Sequence, residues 1–202
     1  MFNLEWLEQE YLEVSRRFEV YLELLQKWNN GINLISRRTD PEEVMGRHLL
    51  DSLQLNWYIP RKAATIADIG AGNGFPGLVL AMCGYPVTLI ERSEKKAIFL
   101  EAVALELKLK VRILNEDVRN VRNYYPDYIV TRAFSDISNT IELASGMITS
   151  DTILFFYKSR KQLKELTKEI MTSYHVDVYE NVCRNDGVII KLSQPRGNNE
   201  RG

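Results

Sequence analysis

From residue 63 onward the chain predicts an α/β fold: a seven-stranded, mostly parallel sheet ending in an antiparallel C-terminal hairpin, behind a helical N-terminal extension. Three observations carry this expectation. Short, nearly continuous apolar runs alternate with helical stretches, the pattern of parallel strands covered on both faces. Residues 181–187 alone separate the last two runs, too few for a parallel crossover, and Asn185-Asp186-Gly187 has turn chemistry. A glycine-rich turn directly follows the first strand and opens a helix.

The elements follow in order. Leu4, Leu7, Tyr11, Val14, Phe18, Leu22 and Leu25 recur at steps of three or four, which puts them on one helix face. The opposite face carries Glu5, Glu8, Glu10, Glu13, Glu19 and Glu23. Trp28-Asn29-Asn30-Gly31-Ile32-Asn33 breaks this helix with Gly and Asn. Asp40-Pro41-Glu42-Glu43 reads as an N-cap, a proline at the first helical position and acids in the first turn. That second helix carries Arg47, His48 and Asp51 toward Trp57. Strands are expected at Thr65–Ile69, Val87–Glu91, Val111–Leu114, Tyr128–Thr131, Ile153–Tyr157, Val176–Glu180 and Val188–Leu192. Helices are expected at Gly77–Met82 and at Ser93–Leu109, with Ser93 as the cap. The expected organisation is a helical extension over 1–62 packed on the core, a Rossmann-like domain over 63–193 and a flexible tail over 194–202.

Composition excludes several classes. With 45% apolar residues, 26% charged residues, 11 Gly and 6 Pro in 202, the chain is neither collagenous nor of low complexity. It is long enough to bury a two-sided core without disulfides or metal. Met1 to Trp6 holds no basic stretch leading into an apolar one, so no signal peptide is expected. The apolar run from Gly77 to Ile90 is too short to span a bilayer and contains Gly84 and Pro86. Cys83 and Cys183 lack a CxxC partner or a nearby histidine, and read as buried thiols in a reducing cytoplasm. His48 and His175 are the only histidines, so no zinc site is expected.

The turn Asp68-Ile69-Gly70-Ala71-Gly72-Asn73-Gly74-Phe75-Pro76-Gly77 stands where a doubly wound sheet holds a nucleotide-like ligand. Glu91, at the end of the next strand, is placed to bind ribose hydroxyls. A dinucleotide and S-adenosylmethionine compete for such a turn. The chain has no Gly-Lys-Ser/Thr phosphate cradle, and Pro76 removes a backbone N–H at the mouth of the helix, where a pyrophosphate needs donors. Asp68 brings a carboxylate, which repels phosphate and suits a ligand bearing an ammonium and a sulfonium. These features favour S-adenosylmethionine over a dinucleotide, and five glycines between 70 and 84 with two well-placed acids argue against turn geometry alone. The third strand ends in Asn115-Glu116-Asp117-Val118, where Asp117 can accept from an adenine amino group or simply be a solvated strand end.

With those residues in place, the chain resembles the small-subunit rRNA methyltransferase G family, also called glucose-inhibited division protein B, over roughly residues 20–192. The resemblance rests on Trp28-Asn29 with Asn33-Leu34, on Arg47-His48-Leu49-Leu50-Asp51-Ser52, on the Gly70–Gly77 turn with Phe75-Pro76-Gly77, and on Thr131-Arg132-Ala133-Phe134. It implies a class I S-adenosylmethionine-dependent methyltransferase fold and methyl transfer to N7 of a guanine, guanosine 527, in the 530 loop of 16S rRNA. It also implies that Gly70, Phe75, Asp117, Val118 and Arg132 contact the cofactor and that Lys158 lies on the catalytic side. Gly72, Gly74, Asp68 and Glu91 complete the cofactor candidates, and Asn33, Arg47, His48 and Lys158 are the candidate RNA contacts. The chain departs from the family at Glu116-Asp117-Val118, which leaves the adenine-side carboxylate open between Glu116 and Asp117, and at Ser159, where the family commonly has Gly.

Guanine N7 has a free lone pair and no proton, so its methylation needs positioning and desolvation, not a general base. A guanine splayed into a crevice presents this edge. Lys158 is then expected to orient guanine through O6 or a neighbouring phosphate, because N7 must stay free. Arg132 either bridges cofactor and substrate or forms a structural ion pair, and His48 and Asp51 either position RNA or lock the extension onto the core. The rival functions are a methyltransferase of the same fold acting on another RNA, a protein or a small molecule, and a non-enzymatic dinucleotide-binding regulator. A monomer acting in the cytoplasm on 16S rRNA or the 30S subunit, without metal or membrane, is the expected setting.

The net charge of −1 by itself argues against nucleic acid, but it hides an asymmetry. Residues 1–26 hold six Glu against Arg16 and Arg17, so the remainder carries +3. Its cations are grouped at Arg37-Arg38, Arg47, Arg61-Lys62, Arg92 with Lys95-Lys96, and Lys158 with Arg160-Lys161. Such grouping suits a small RNA footprint.

Overall fold

A computed structural model describes residues 4–35, 48–60 and 63–194. The helix start at Asp40-Pro41, the basic groups at 37–38 and 61–62, the substrate candidate Arg47 and the tail from 195 lie outside the described residues.

Helix α1 spans Leu4–Asn29. Its inward stripe is Val14, Phe18, Tyr21 and Leu25, all buried, with Tyr11 and Leu22 half-buried at its flanks. Tyr21, outside the predicted face, is buried in the place expected for Leu22, and both residues fit the three-and-four spacing between Phe18 and Leu25. A single helical turn, α2 (Leu50–Leu53), runs into a 3₁₀ turn at Gln54–Trp57.

Seven strands follow: β1 Ile66–Ile69, β2 Val87–Ile90, β3 Val111–Leu114, β4 Tyr128–Arg132, β5 Ile153–Ser159, β6 His175–Glu180 and β7 Gly187–Ser193. Each lies where the apolar pattern puts it. Strand β5 continues two residues past Tyr157 because Lys158 and Ser159 pair with Val188 and Gly187 across the antiparallel ladder. The helices between them are α3 Gly77–Met82, α4 Glu94–Glu106, α5 Ile137–Leu143 and α6 Lys168–Ser173. Helix α4 stops three residues before the predicted end, at a C-cap on Leu107 followed by Lys108 at φ +51°. Ser93 does occupy its N-cap, but the side chain makes no cap bond there; its backbone N–H donates to Glu91 instead.

The strand order is β3-β2-β1-β4-β5-β7-β6, so β7 inserts between β5 and the edge strand β6. The first five strands are parallel, and β7 is antiparallel to both neighbours. Because side chains alternate along a strand, each strand feeds two cores. On one face Ile66, Leu89, Val130, Phe155 and Ile189 pack with α1, with residues 49–59 and with α3 and α4. On the other, Ile69, Ile90, Ile129, Phe156 and Ile190 pack with Val118, α5, Met147 and α6. The N-terminal helix therefore shares a core with the sheet. Each fully buried Leu or Phe here contributes about 1.5–3 kcal/mol. Cys83 and Cys183 are free thiols but half-buried, not the fully buried groups expected; the amide of Gln54 reaches Cys183 Sγ at 3.6 Å.

Candidate active site

The carboxyl ends of β1 to β4 open into a cleft of about 500 Å³. Its walls are Ile69 and Gly70 from β1, Ile90 and Glu91 from β2, Val118 after β3 and Phe134 after β4. Four of those six are apolar and give the cleft a surface on which a planar ring can pack.

Gly70 has φ +69°, and a Cβ placed on it would lie 2.4 Å from Cδ2 of Phe134, so only glycine admits that ring over the turn. Behind the turn stands α1: Tyr21 donates its hydroxyl to the carbonyl of Asn73 at 2.7 Å, and Phe75 packs against Tyr21 and His48, centroids 5.3 and 5.1 Å apart. Phe75 is buried on this outer side, away from the cleft lining.

Several of the turn's backbone N–H groups are spent within the protein. Those of Gly70 and Ala71 donate to the Ile90 carbonyl, Gly74 to Ala71, and Leu78 to Gly74. Gly72 donates to Glu91 Oε2 at 2.9 Å and Gly77 to Asp68 Oδ2 at 2.8 Å. Two carboxylates thus hold N–H groups that a phosphate cradle would turn toward its ligand. A pyrophosphate would meet negative charge here, whereas a zwitterionic, sulfonium-bearing ligand would not.

Glu91 is 6% exposed, and both its oxygens are fixed, Oε1 by the N–H of Ser93 at 2.8 Å. Each oxygen keeps a lone pair for a ribose hydroxyl. Asp117 is held as an ion: Arg119 grips both oxygens, at 2.9 and 2.8 Å, and its backbone N–H adds a third bond. These bonds hold the carboxyl well below the usual carboxylate range. Glu116 also lines the cleft, exposed. Arg92 and Lys96 stand on the rim, so part of the cationic grouping does share the cleft side.

Strand alternation sends Asp68 and Arg132 to the opposite face, and neither lines the cleft. Asp68 is fully buried with Oδ1 unpartnered, and burial raises its carboxyl to about 7, eased by the Gly77 N–H. Because the folded chain binds this proton more tightly than the unfolded one, the contribution to stability is complete below about pH 4 and is lost as pH rises through 7. Asp68→Asn still accepts from Gly77 and cannot ionise. Its melting temperature relative to the parent should therefore climb between pH 5 and pH 8. A difference that stays constant over that range would refute this account of Asp68.

Arg132 lies 3.5 Å from Asp51 and donates to His48 Nδ1, which assigns the proton of that ring to Nε2. His48 and Asp51 thus meet the sheet through Arg132, the locking geometry. Lys158, 8% exposed, donates to the Ser135 carbonyl at 2.6 Å and pairs with Glu165 at 2.8 Å. Glu165 also accepts from the Ile137 N–H at 3.1 Å, so the pair clamps the loop after β4. Asn33 is exposed. Gly72 and Gly74 shape the turn without lining the cleft. Sequence reasoning missed Glu165, Gln54 and Asn181; no local pattern marks them, because their partners are distant in the chain. Among the described residues, no cluster of metal-ligating side chains occurs and no helix is long and apolar enough to cross a membrane.

A seven-stranded sheet of this order, with a phosphate-averse glycine turn and an acid at the end of β2, defines a class I S-adenosylmethionine-dependent methyltransferase. Solved structures share the fold: the ribosomal protein L11 methylase of Lactobacillus delbrueckii subsp. bulgaricus has a TM-score of 0.61 at 16% identity, covering 73% of this chain and 78% of that one. Magnesium protoporphyrin IX methyltransferase of Synechocystis PCC 6803, solved with S-adenosylmethionine bound, has a TM-score of 0.62 at 12% identity, covering 87% and 97%. The profile of the family described as rRNA small subunit methyltransferase G matches residues 14–186. Ribosomal RNA small subunit methyltransferase G of Gluconobacter oxydans (strain 621H) is 36% identical over 184 residues, covering 90% of this chain and 94% of that protein. The chain belongs to the rRNA small subunit methyltransferase G family. It is an S-adenosylmethionine-dependent rRNA methyltransferase. The cleft is compatible with that cofactor: Ile69, Ile90, Val118 and Phe134 give it apolar surface, Glu91 keeps free lone pairs, and carboxylates hold the Gly72 and Gly77 N–H groups.

Proposed function

We propose that this chain methylates N7 of a guanine in the 530 loop of 16S rRNA, acting as a monomer in the cytoplasm on the rRNA or the 30S subunit. The observation that carries the N7 assignment is the state of the ionisable groups around the cleft. Glu91 is held by two N–H groups, Asp117 by Arg119 and Lys158 by Glu165, so these three are committed to partners. The remaining carboxylate of the lining, Glu116, is exposed. Such a site suits a nucleophile that arrives with a lone pair and no proton to lose.

Bound S-adenosylmethionine supplies a methyl group whose C–S bond breaks as the bond to N7 forms. The chain's own residues position the partners. Gly70, Val118 and Phe134 hold the adenosyl part, Glu91 the ribose and Asp117, already fixed in place, the adenine amino group. Asp68, Phe75, Gly72 and Gly74 keep the turn in shape. Lys158 steadies Ser135 at the cleft wall and keeps one N–H for guanine O6 or a phosphate, while Arg132 acts through the neighbouring Ala133. Arg92 and Lys96 offer the phosphate contacts nearest the cleft, and Asn33, Arg47 and His48 belong to the RNA-facing extension. With so few cations, affinity for RNA should fall only modestly with salt.

The test is transfer of labelled methyl to 30S subunits and to protein-free 16S rRNA, followed by nucleoside analysis. Label is expected as 7-methylguanosine within the 530 loop. Label in any other nucleoside, or in 7-methylguanosine elsewhere in the rRNA, would overturn the assignment.

A further inference from the structure

Beneath the glycine turn, on the sheet face away from the cleft, lies a buried polar cluster that the methyl-transfer reading leaves unused. Asp51 is fully buried, Gln54 is 1% exposed and Asn181 is 7% exposed. They come from the N-terminal segment and from the turn between β6 and β7. The Asn181 amide donates to Asp51 Oδ1, and Gln54 Nε2 reaches the same oxygen at 3.3 Å and Asn181 Oδ1 at 3.2 Å. Both amides are anchored in turn: Gln54 Oε1 accepts the N–H of Val182 and Asn181 Oδ1 that of Cys183, each at 2.9 Å. Tyr157 donates to the Asp51 carbonyl at 2.9 Å. The other carboxylate oxygen, Oδ2, makes no hydrogen bond and faces Arg132 Nη1, likewise unbonded, at 3.5 Å.

A buried ion pair without a hydrogen bond is held by charge alone, so its geometry depends on what orients the carboxylate. Here the two amides orient Asp51, while a hydrogen bond to His48 Nδ1 holds the other end of the Arg132 guanidinium. Arg132 in turn is the last residue of β4, and Ala133 next to it adopts φ +53°, a conformation a non-glycine residue keeps only when its surroundings enforce it. Phe134 then lies over Gly70 and walls the cleft. Lys158 holds the far side of this loop at Ser135, and the Arg132 pair holds the near side.

We propose that Gln54 and Asn181 are positioning residues for the cofactor cleft: by orienting Asp51 they fix Arg132, and with it the Ala133–Phe134 turn that lies over Gly70. The C-terminal hairpin, remote in sequence, thereby sets cofactor affinity. The inference rests on the cleft being the S-adenosylmethionine site and is independent of which guanine is methylated.

The test measures S-adenosylhomocysteine binding by calorimetry for the parent, Asn181→Ala, Asn181→Asp and Gln54→Met, with hydrogen exchange of the 133–135 amides in the ligand-free proteins. Asn181→Ala should bind about tenfold more weakly, Gln54→Met more weakly in the same direction, and both should exchange faster at those amides. Asn181→Asp keeps both acceptor bonds but sets a second carboxyl against Asp51, among Arg132, His48, Tyr157, Cys183 and Arg184. As pH falls, a proton shared between the two carboxyls restores a donor. Affinity should therefore be near that of the parent at pH 6 and about tenfold lower at pH 8, against a pH-independent loss in Asn181→Ala. Variants that fold and bind within twofold of the parent at both pH values, with unchanged exchange, would overturn the proposal. So would unfolding of all three, since the cluster would then be holding the fold and not the cleft. A parent that fails to bind S-adenosylhomocysteine would refute the cofactor site itself.

Discussion

Glu91→Ala is expected to weaken S-adenosylhomocysteine binding by about 100-fold or more. The carboxylate does two things at once. It accepts the N–H groups of Gly72 and Ser93, at 2.9 and 2.8 Å, and so ties the glycine turn to the start of α4. On the proposed assignment it also presents the acceptors for the ribose. Hydrogen bonds to a buried charge are worth about 1.5–3 kcal/mol each, and about 1.4 kcal/mol is tenfold in affinity, so losing the ribose contact and loosening the turn together reach that size. Glu116→Ala is the control: it lines the same cleft but is exposed, and its effect should stay within about threefold. Equal losses in the two variants, read by calorimetry, would show that negative charge near the cleft matters and the fixed geometry of Glu91 does not.

Gly77→Ala should be strongly destabilising. Gly77 opens α3 against β1 and β2, and a Cβ there would sit 2.4 Å from Leu89 Cδ2, 2.5 Å from Asp68 Oδ2 and 2.9 Å from Asp68 Cβ. Leu89 and Asp68 are fully buried on central strands and have nowhere to go. Overpacking of this kind costs about 1–3 kcal/mol, and prying Gly77 from Asp68 adds the loss of a buried bond of about 1.5 kcal/mol. The sum corresponds to a fall in melting temperature of about 10 °C for a chain of this size. Gly84→Ala offers the contrast: no atom lies within 4 Å of its Cβ position, and only the strain of φ +93° remains, about 1–2 kcal/mol. Denaturant unfolding of the two variants separates packing from backbone strain. A smaller loss for Gly77→Ala than for Gly84→Ala would refute the packing argument.

Much of the architecture was legible because it is written in local periodicity. The strand patterns are short apolar runs, and all seven appear where those runs stand. Glu91 was legible too: an acid at the end of the second strand, 19 residues after Gly72, proves to hold the Gly72 N–H itself. Asp68 was legible as an acid beside the turn but not as a group facing away from the cleft. Its role depends on Gly77 folding back over it, nine residues later. Lys158 stood out as a cation at a strand end, yet nothing near it announces Glu165, whose carboxylate reaches both Lys158 and the N–H of Ile137 from a separate 3₁₀ segment.

The division has a physical cause. Helix and strand periodicity, glycine in a tight turn and an acid at a strand end act over a few residues, so the chain announces them by itself: the sheet, the turn and the family to which they belong. The face to which Asp68 and Arg132 turn is different. Alternation along a strand says only that Asp68 opposes Ile69 and that Arg132 opposes Thr131. Whether the cleft opens on one side or the other is decided when α1, α3 and α4 cover one face and α5 and α6 the other. Contacts such as Asn181 to Asp51, 130 residues apart, exist only after that packing is complete. The same carboxylate and guanidinium that read as ligand groups in the chain are, in the packed sheet, largely buried groups outside the cleft lining.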